Sequence, residues 1–207
     1  MVQMDRNGVK PGFQKAKMLE AARRLFWEKG YNATSMREIA LSYGCRAANL
    51  YNFFSDKEEI LFEVLREEME QIINPIKHLE EDDDTSPIEQ LKFIIESHLK
   101  VTLSYRRSAK LLFDVALDSL SPDKRKKIID FRDTYDRIIR KVIHRGIDTG
   151  YFPEVDVRLA GFMIASMITR TRIWFHPKKG VSVSELADFI SQFAFNGLRG
   201  QEPEVLK

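Results

Sequence analysis

The side chains best suited to recognising another molecule lie in one short stretch that begins at Arg46. Arginine and asparagine make paired hydrogen bonds to base edges in the major groove of DNA, arginine to guanine and asparagine to adenine, and Arg46 and Asn49 are of these types. Between them, Ala47 and Ala48 are small enough to let the backbone approach the groove and to contact a thymine methyl group. Asn52 is predicted to face outward with them. This pattern predicts a helix that recognises bases in DNA.

Two short helices joined by a tight turn would hold this stretch in place. Ser35 with Glu38 three residues later is a capping-box pattern for the first helix, and Thr34 is the alternative cap. Gly44 accepts a positive φ and can end this helix within one residue. A second helix is predicted over residues 46–53. The arrangement is that of a helix-turn-helix, whose second helix enters the major groove.

The same pattern predicts how the two helices are supported from behind. Leu50 and Phe54 are expected to face the interior, with Ala47 beside them. Ser55, with Glu58 three residues later, is predicted to cap a third helix.

The start of the first helix is also suited to a phosphate group. Free backbone N–H groups and the helix dipole attract anions at such a start. Thr34, Ser35 and Arg37 lie there, so we expect them to contact the DNA backbone.

This part of the sequence resembles the DNA-binding domain of the tetracycline-repressor (TetR) family of bacterial transcriptional regulators. The resemblance covers about the first third of the chain, from near Phe13 to Leu65. The residues that carry it are Gly30-Tyr31, Thr34-Ser35-Met36-Arg37-Glu38-Ile39-Ala40, Gly44, Leu50-Tyr51, Phe54, Ser55 and Lys57. Two positions depart from the family pattern: Arg46 stands where the family often has Ser, and Phe53 where it often has His.

The resemblance implies further contacts and a mode of action. Tyr51 and Lys57 are similar to the family's phosphate contacts. The resemblance also implies a homodimer that binds a double-stranded, pseudo-palindromic operator, with repression as the usual mode. The complete predicted DNA-binding set is Thr34, Ser35, Arg37, Arg46, Ala47, Ala48, Asn49, Tyr51, Asn52 and Lys57.

Composition places the chain among ordered globular proteins. Its 207 residues suit one domain or two small ones, and 43% are hydrophobic and 31% charged. No apolar run approaches the roughly 20 residues that cross a bilayer, and the amino terminus lacks a secretion signal. The single cysteine, Cys45, forms no internal disulfide. We therefore expect a cytoplasmic protein with no membrane partner.

Positive charge is concentrated at the amino-terminal end. Residues 1–57 carry ten basic and five acidic side chains, a net charge of +5, so the remainder carries −3 of the overall +2. A basic head on a mildly acidic body is consistent with a head that faces phosphates.

The remaining sequence predicts an all-α chain of about nine helices. Residues 1–57 would form a three-helix DNA-binding domain that contains the helix-turn-helix, and residues 58–207 an effector-binding and dimerisation domain. Helix starts and breaks follow from capping residues and prolines. The helices predicted beyond the head begin or lie near Lys57, Ser86, residues 108–119, Ser121, Asp156 and Ser182.

The last two predicted helices carry more apolar surface than one small subunit can bury. The helix near residues 156–176 is apolar nearly all round, and the helix near 183–198 carries a wide apolar stripe. Pairing with the same helices of a second copy would give an isologous four-helix interface. The alternative is that both helices pack entirely within one subunit.

The resemblance implies a small-molecule effector bound among the helices of the body. Methionine and aromatic side chains suit an apolar site, although plain core packing suits them equally. The Asp156–Ala160 start of one helix, and its Trp174 and Pro177 end, look similar to family members that sense fatty acyl or steroid-ring acyl-CoA thioesters. An acyl-CoA-like ligand is therefore expected. The predicted lining residues are Met69, Phe93, Phe113, Met163, Met167 and Trp174.

No pattern in the sequence is typical of an enzyme or a metal site. Cys45 has no neighbouring histidine, the four histidines are far apart, and the acidic run at residues 80–84 lacks ligand spacing. We expect no catalytic residues, metal or cofactor. Two other classes stay open: an all-α protein-interaction module without DNA binding, and a small all-α enzyme, which would need a titratable cluster.

Overall fold

The structure, a computed structural model, describes residues 11–104, 116–176 and 180–199. These residues form helices and turns and contain no β-strand. Two short 3₁₀ segments occur, Lys77–Glu80 and Leu117–Ser119. The α-helices are α1 (Pro11–Lys29), α2 (Met36–Tyr43), α3 (Ala47–Tyr51), α4 (Lys57–Ile73), α5 (Pro87–Ser104), α6 (Pro122–Asp148), α7 (Val157–Trp174) and α8 (Val183–Arg199).

The predicted all-α class is confirmed, and the predicted number of helices is approximate. The described ranges contain eight α-helices. The helix predicted near residues 108–119 lies mostly outside these ranges, and Leu117–Ser119 forms a 3₁₀ turn. Within the described ranges, no helix combines the length and the apolar character needed to cross a bilayer.

Most helices begin where their capping residues predict. At α2 the Ser35 Oγ accepts from the Glu38 N–H at 3.3 Å, and the Glu38 carboxylate accepts from the Ser35 N–H at 2.8 Å. Two orphan backbone donors are thereby satisfied within one turn. The same reciprocal pairing begins α5 and α8, at Ser86 with Glu89 and at Ser182 with Glu185. At α7 the cap is Asp156, as predicted.

The cap predicted for α4 is wrong by one residue. The Asp56 carboxylate, rather than the Ser55 hydroxyl, accepts the free N–H of Glu59 at 2.7 Å. Ser55 instead donates its backbone N–H to the Glu59 carboxylate at 2.6 Å. Glu59 therefore makes both bonds but with two different residues, Asp56 and Ser55, and α4 begins at Lys57.

The described residues pack into two compact units, which we call the head unit and the body unit. The head unit comprises residues 11–69 and 116–129. Its ion pairs Lys15–Glu63 and Arg23–Glu67 join α1 to α4. Its buried core includes Met18, Leu19, Ala22, Phe26, Ile39, Leu50, Phe54, Ile60 and Leu61. The predicted domains, 1–57 and 58–207, concern roles rather than packing and stay a prediction.

The body unit comprises residues 70–104, 130–176 and 180–199, and in it α5 packs against α7 and α8. At the end of α6, Gly146 lets the chain turn back tightly, because the Phe152 ring occupies the space that a Cβ would need. The Arg145 guanidinium donates to the Asp82 carbonyl at 2.8 Å and so ties α6 to the loop before α5. The buried core includes Leu91, Ile94, Ile95, Leu99, Ile138, Ile139, Val142, Ile164, Ile168, Leu186 and Ile190.

Candidate nucleic-acid interface

The orientation of α3 is set by one fully buried side chain and a tight turn. Leu50 is 0% exposed, so the opposite side of this short helix faces solvent. Gly44 adopts φ 89° and donates its N–H to the Ala40 carbonyl at 3.0 Å, and the Cys45 N–H donates to the same carbonyl at 2.9 Å. These bonds end α2 at the predicted glycine, and α3 follows from Ala47 to Tyr51, which is shorter than the predicted range 46–53.

The outward side of α3 carries the side chains that the sequence singled out for base contacts. Arg46, Ala48, Asn49 and Asn52 are exposed, and Ala47 is half-buried. Arg46 is the N-cap residue of α3 but makes no side-chain capping bond. Its guanidinium is therefore not used to hold the helix start, which serine would do at this position.

Three of these residues line one open cleft together with α1. Arg46, Asn49 and Asn52 face Lys17 and Arg24 across a space of about 1340 Å³ within the head unit. Sequence reasoning missed the two α1 cations as part of this surface. Helical spacing was the available signal, because Gln14, Lys17, Ala21 and Arg24 repeat along one side of α1.

The start of α2 divides into buried and exposed parts. Thr34 is only 2% exposed, and its hydroxyl donates to the Gly30 carbonyl at 2.9 Å. In this conformation Thr34 therefore holds the turn before α2 and does not face solvent. Ser35 is exposed but serves as the cap, whereas Arg37 is exposed and points outward from the first turn.

The two residues similar to family phosphate contacts differ in their surroundings. Tyr51 is 53% exposed. Lys57 donates its ammonium to the carbonyls of Tyr31 at 2.9 Å and Thr34 at 2.8 Å, and lies 4.2 Å from the Tyr31 ring centroid. Burial lowers the pKa of Lys57 because it removes water from the ammonium group, and the negative charge of Glu38 acts in the opposite direction. Lys57 thus ties the start of α4 to the turn before α2.

Charges at the base of this surface are already paired. Hydrogen bonds from Lys29 and Ser35 lower the pKa of Glu38 to about 2, so this carboxylate stays ionised at neutral pH.

The single cysteine lies at the turn between α2 and α3. Burial raises the pKa of the Cys45 thiol, which therefore stays protonated at neutral pH and is a poor nucleophile.

A second surface, which we call the α7–α8 groove, lies on the body unit. It is an open, apolar groove of about 620 Å³ between these two helices. Met163 is 64% exposed and Trp174 60%, and from α8 Phe189 and Phe193 are 67% and 59% exposed. Met167 lines the groove between them.

The structure therefore brings together only part of the predicted effector set. Met163, Met167 and Trp174 share the α7–α8 groove. Met69 is buried in the head unit, and Phe93 lies edge-on to the His78 ring, with centroids 5.7 Å apart. Neither of these two lines the groove, and Phe113 lies outside the described residues.

Two family models match the sequence, one near its amino-terminal end and one over most of the rest of the chain. Residues 18–64 match the model described as bacterial regulatory proteins, tetR family. Residues 84–198, more than half of the chain, match the model described as tetracyclin repressor-like, C-terminal domain.

Individual proteins show the same likeness. The HTH-type transcriptional repressor KstR2 of Mycobacterium tuberculosis is 26% identical over 176 residues, which are 84% of this chain and 87% of that protein. The structure of the regulator PfmR from Thermus thermophilus is 34% identical, with a TM-score of 0.76 over 89% of this chain and 98% of the other. The structure of AibR in complex with isovaleryl coenzyme A and operator DNA is 22% identical, with a TM-score of 0.76 over 88% and 98%, and this likeness shows the fold alone.

Proposed function

Because this chain belongs to the TetR family of bacterial regulatory proteins, we propose that it is a transcriptional repressor that binds a pseudo-palindromic operator as a homodimer and leaves it when a small apolar effector binds. The observation that carries this proposal is the outward side of α3, where Arg46 and Asn49 are exposed while Leu50 is fully buried. A helix that packs through one buried leucine and exposes side chains able to bond to base edges is suited to binding in the major groove.

Within this surface we assign contacts by exposure. Arg46 and Asn49 would contact base edges, with Ala47 and Ala48 allowing close approach and Asn52 beside them. Tyr51, Ser35 and Arg37 would contact phosphates, which position the protein without selecting sequence. Thr34 and Lys57 make bonds within the head unit, so we propose that they position this surface. Lys17 and Arg24 would extend its positive charge along α1.

The α7–α8 groove supports the homodimer. Four side chains, Met163, Trp174, Phe189 and Phe193, are each more than half exposed in the single subunit. Contiguous apolar surface of this kind marks an interaction site, because its hydration is unfavourable. Helices near residues 156–176 and 183–198 would pair with their copies about a two-fold axis, and this symmetry would be matched by the two half-sites of an operator.

The effector is proposed to be an apolar small molecule such as an acyl-CoA. AibR, which shares the fold, binds isovaleryl coenzyme A and operator DNA. We place the effector in the body, residues 58–207, and DNA binding in residues 1–57. By linkage, the effector lowers the affinity for DNA by the same factor by which DNA lowers the affinity for the effector.

The proposal is tested by selecting bound sequences from a random library of DNA duplexes with the full-length protein. We expect enrichment of an inverted repeat and, on the selected site, affinity that falls steeply with added salt because counterions are released. A library without enrichment, or binding indifferent to salt, would overturn the DNA-binding function. It would favour the protein-interaction alternative.

The effector arm uses the selected duplex and two probes, isovaleryl coenzyme A and lauroyl coenzyme A. Release of the protein from DNA by either probe supports the acyl-CoA assignment, and coenzyme A alone is the control. Retention on DNA with both probes contradicts it while leaving the DNA-binding function intact.

A further inference from the structure

A buried pair of polar side chains joins α5 to α6 inside the body unit. His98 Nδ1 and the Tyr135 hydroxyl lie 2.9 Å apart, and their rings meet edge-on with centroids at 5.1 Å. His98 is 7% exposed and Tyr135 6%. Buried isoleucines and leucines flank the pair on both helices, and the polar Ser97 and Thr102 are buried beside it on α5.

This pair retains one hydrogen-bond donor in either tautomer. If the Tyr135 hydroxyl donates to Nδ1, the His98 Nε2 carries the other proton and remains a donor. If Nδ1 donates to the Tyr135 oxygen, the hydroxyl proton remains. Burial, and then the charge of Arg172, lower the pKa of His98 to about 3, and burial raises the pKa of Tyr135. The pair is therefore neutral at physiological pH.

A second donor lies one helical turn away on the same side of α5. Thr102 follows His98 by four residues, which places the two side chains about 6 Å apart. Thr102 is 1% exposed, and its hydroxyl has no hydrogen-bond partner among the residues that the structure describes.

Threonines on α7 show how unusual this hydroxyl is. Thr169 and Thr171 each donate to a carbonyl of the preceding turn, at 2.9 and 2.7 Å. Such bonding within the helix is the ordinary way to satisfy a buried threonine. At Thr102 the hydroxyl is left without it, and an unsatisfied buried polar group costs free energy until an acceptor meets it.

The charges near the pair have both signs. The positive charge of Arg172, on α7, adds to burial in lowering the pKa of His98, and the negative charge of Asp136 adds to burial in raising the pKa of Tyr135. The available hydrogen-bond donors, rather than a net charge, therefore select an oxygen acceptor.

We propose that His98, Thr102 and Tyr135 form the polar end of the effector site, and that the effector places an acyl oxygen there as hydrogen-bond acceptor. The inference rests on the effector-controlled function proposed above and assigns the residues that would bind the effector's oxygen. The acyl oxygen is either a thioester carbonyl or a carboxylate, which the two arms of the experiment distinguish.

The experiment measures binding of lauroyl coenzyme A and of lauric acid by titration calorimetry with the full-length protein. Thr102→Val keeps the shape and removes only the hydroxyl, and Tyr135→Phe removes only the phenol oxygen. Each substitution is expected to lower the affinity for the probe about tenfold. Because the Thr102 hydroxyl lacks a partner, Thr102→Val is expected to leave the thermal stability of the ligand-free protein unchanged or higher.

Ser191→Ala is the matched control. Ser191 is 2% exposed on α8, and its hydroxyl also has no partner in the described part of the chain. The Lys92–Asp188 ion pair places this stretch of α8 near the opposite end of α5, about 15 Å along the helix from Thr102. Ser191→Ala is therefore expected to bind both probes like the wild type.

The outcomes separate the inference from the proposed function. If the variants bind only lauroyl coenzyme A more weakly, the acyl oxygen is a thioester carbonyl. If they bind lauric acid more weakly, it is a carboxylate. Either result supports the inference. Equal binding by Thr102→Val, Tyr135→Phe and Ser191→Ala overturns it, as does a wild-type protein that binds neither probe. A protein that still selects an inverted-repeat DNA retains the proposed DNA-binding function in either case.

Discussion

The outward side of α3 and the α7–α8 groove are both helix surfaces that the fold leaves open to solvent, but their chemistry is opposite. On α3 the exposed side chains are hydrogen-bonding or small, with Arg46 and Asn49 foremost. In the groove most of the exposed side chains are large and apolar, with Phe189 and Phe193 foremost. Water solvates the first surface well and the second poorly, so the first suits a charged polymer and the second a partner as apolar as itself.

Exposure alone does not indicate a partner, whereas exposure together with side-chain chemistry does. The difference between the two surfaces also separates the consequences of mutation. A change on α3 should alter DNA affinity in a self-associated protein, whereas a change in the groove should alter the association first and DNA affinity through it.

The largest expected effect comes from placing charge in the groove. Phe189→Asp with Phe193→Asp should yield monomers, because two aromatic side chains no longer pair and two carboxylates would have to be buried. Operator affinity should fall by at least about a hundredfold, given roughly 1.5–3 kcal/mol for each buried aromatic side chain. Sedimentation velocity and DNA titration measure the two effects.

Lys100→Asp is the control for that double variant, because it gives the same change in net charge on an exposed position of the same unit. It should stay dimeric. Dimers that persist in the double variant would show that the α7–α8 groove is not the self-association surface.

The next effect is on base recognition. Asn49→Ala and Arg46→Ala should each cost about 1–3 kcal/mol on the preferred site and less on sites changed at the contacted base. Arg37→Ala should weaken all sequences alike and reduce the slope of affinity against salt by about 1. Quantitative binding to a panel of single-base variants of the selected duplex checks both. A uniform loss with Asn49→Ala would reassign Asn49 to the DNA backbone.

Acid should affect the body unit before the head unit. The pKa of buried His98 is lowered from 6.5 to about 3, so the unfolded state binds the proton first as pH falls. Stability contributed by neutral His98 is complete above pH 6.5 and is lost progressively between pH 6.5 and 3, by about 1 kcal/mol at pH 5.5. Hydrogen exchange of α5 and α6 amides at pH 7.5 and 5.5 measures this loss.

The head unit has a different acid limit. The pKa of Glu38 is lowered from 4.5 to about 2, so its stabilisation is complete above pH 4.5 and disappears toward pH 2. Hydrogen exchange of α2 amides should therefore not change from this cause between pH 7.5 and 5.5.

The control for the body unit is His98→Gln. This variant should reduce the pH dependence of hydrogen exchange in α5 and α6, and an unchanged pH dependence would show that another group is responsible.

The smallest effect concerns the matching helix caps of the two units. Ser35→Ala should destabilise α2 by about 1 kcal/mol, and Ser182→Ala should destabilise α8 by a similar amount. Operator affinity should fall with the first variant and self-association with the second. Thermal unfolding together with these two binding measurements distinguishes them. If Ser35→Ala weakened self-association, or if Ser182→Ala left self-association unchanged, the separation of roles between the two units would be wrong.

Much of the helical framework was predictable because the determinants are local. Ser35, Ser86 and Ser182 each have a glutamate three residues later, and a capping box needs only those neighbours. Gly44 likewise ends α2 through its own positive φ. The α4 cap was missed by one residue because Ser55 and Asp56 are both good caps, and the geometry of the chain selects between them.

The buried positions in the candidate site were not predictable from neighbours. Lys57 bonds to the carbonyl of Tyr31, 26 residues earlier, so its half-buried place is set by packing of the whole head unit. Thr34 is similar, since its hydroxyl is occupied only once the turn after α1 has formed. Met163 and Trp174 suit a core, a ligand site or an interface equally well by residue type, and only their exposure points to an interface.

The sequence by itself determined most of the helix starts, the helix-turn-helix, and the apolar excess of its last two helices, because these follow from backbone preferences and side-chain periodicity within a few residues. Only the tertiary structure decided which of these side chains remain outside. Burial depends on contacts between residues far apart in the chain, as between His98 and Tyr135, which are 37 residues apart.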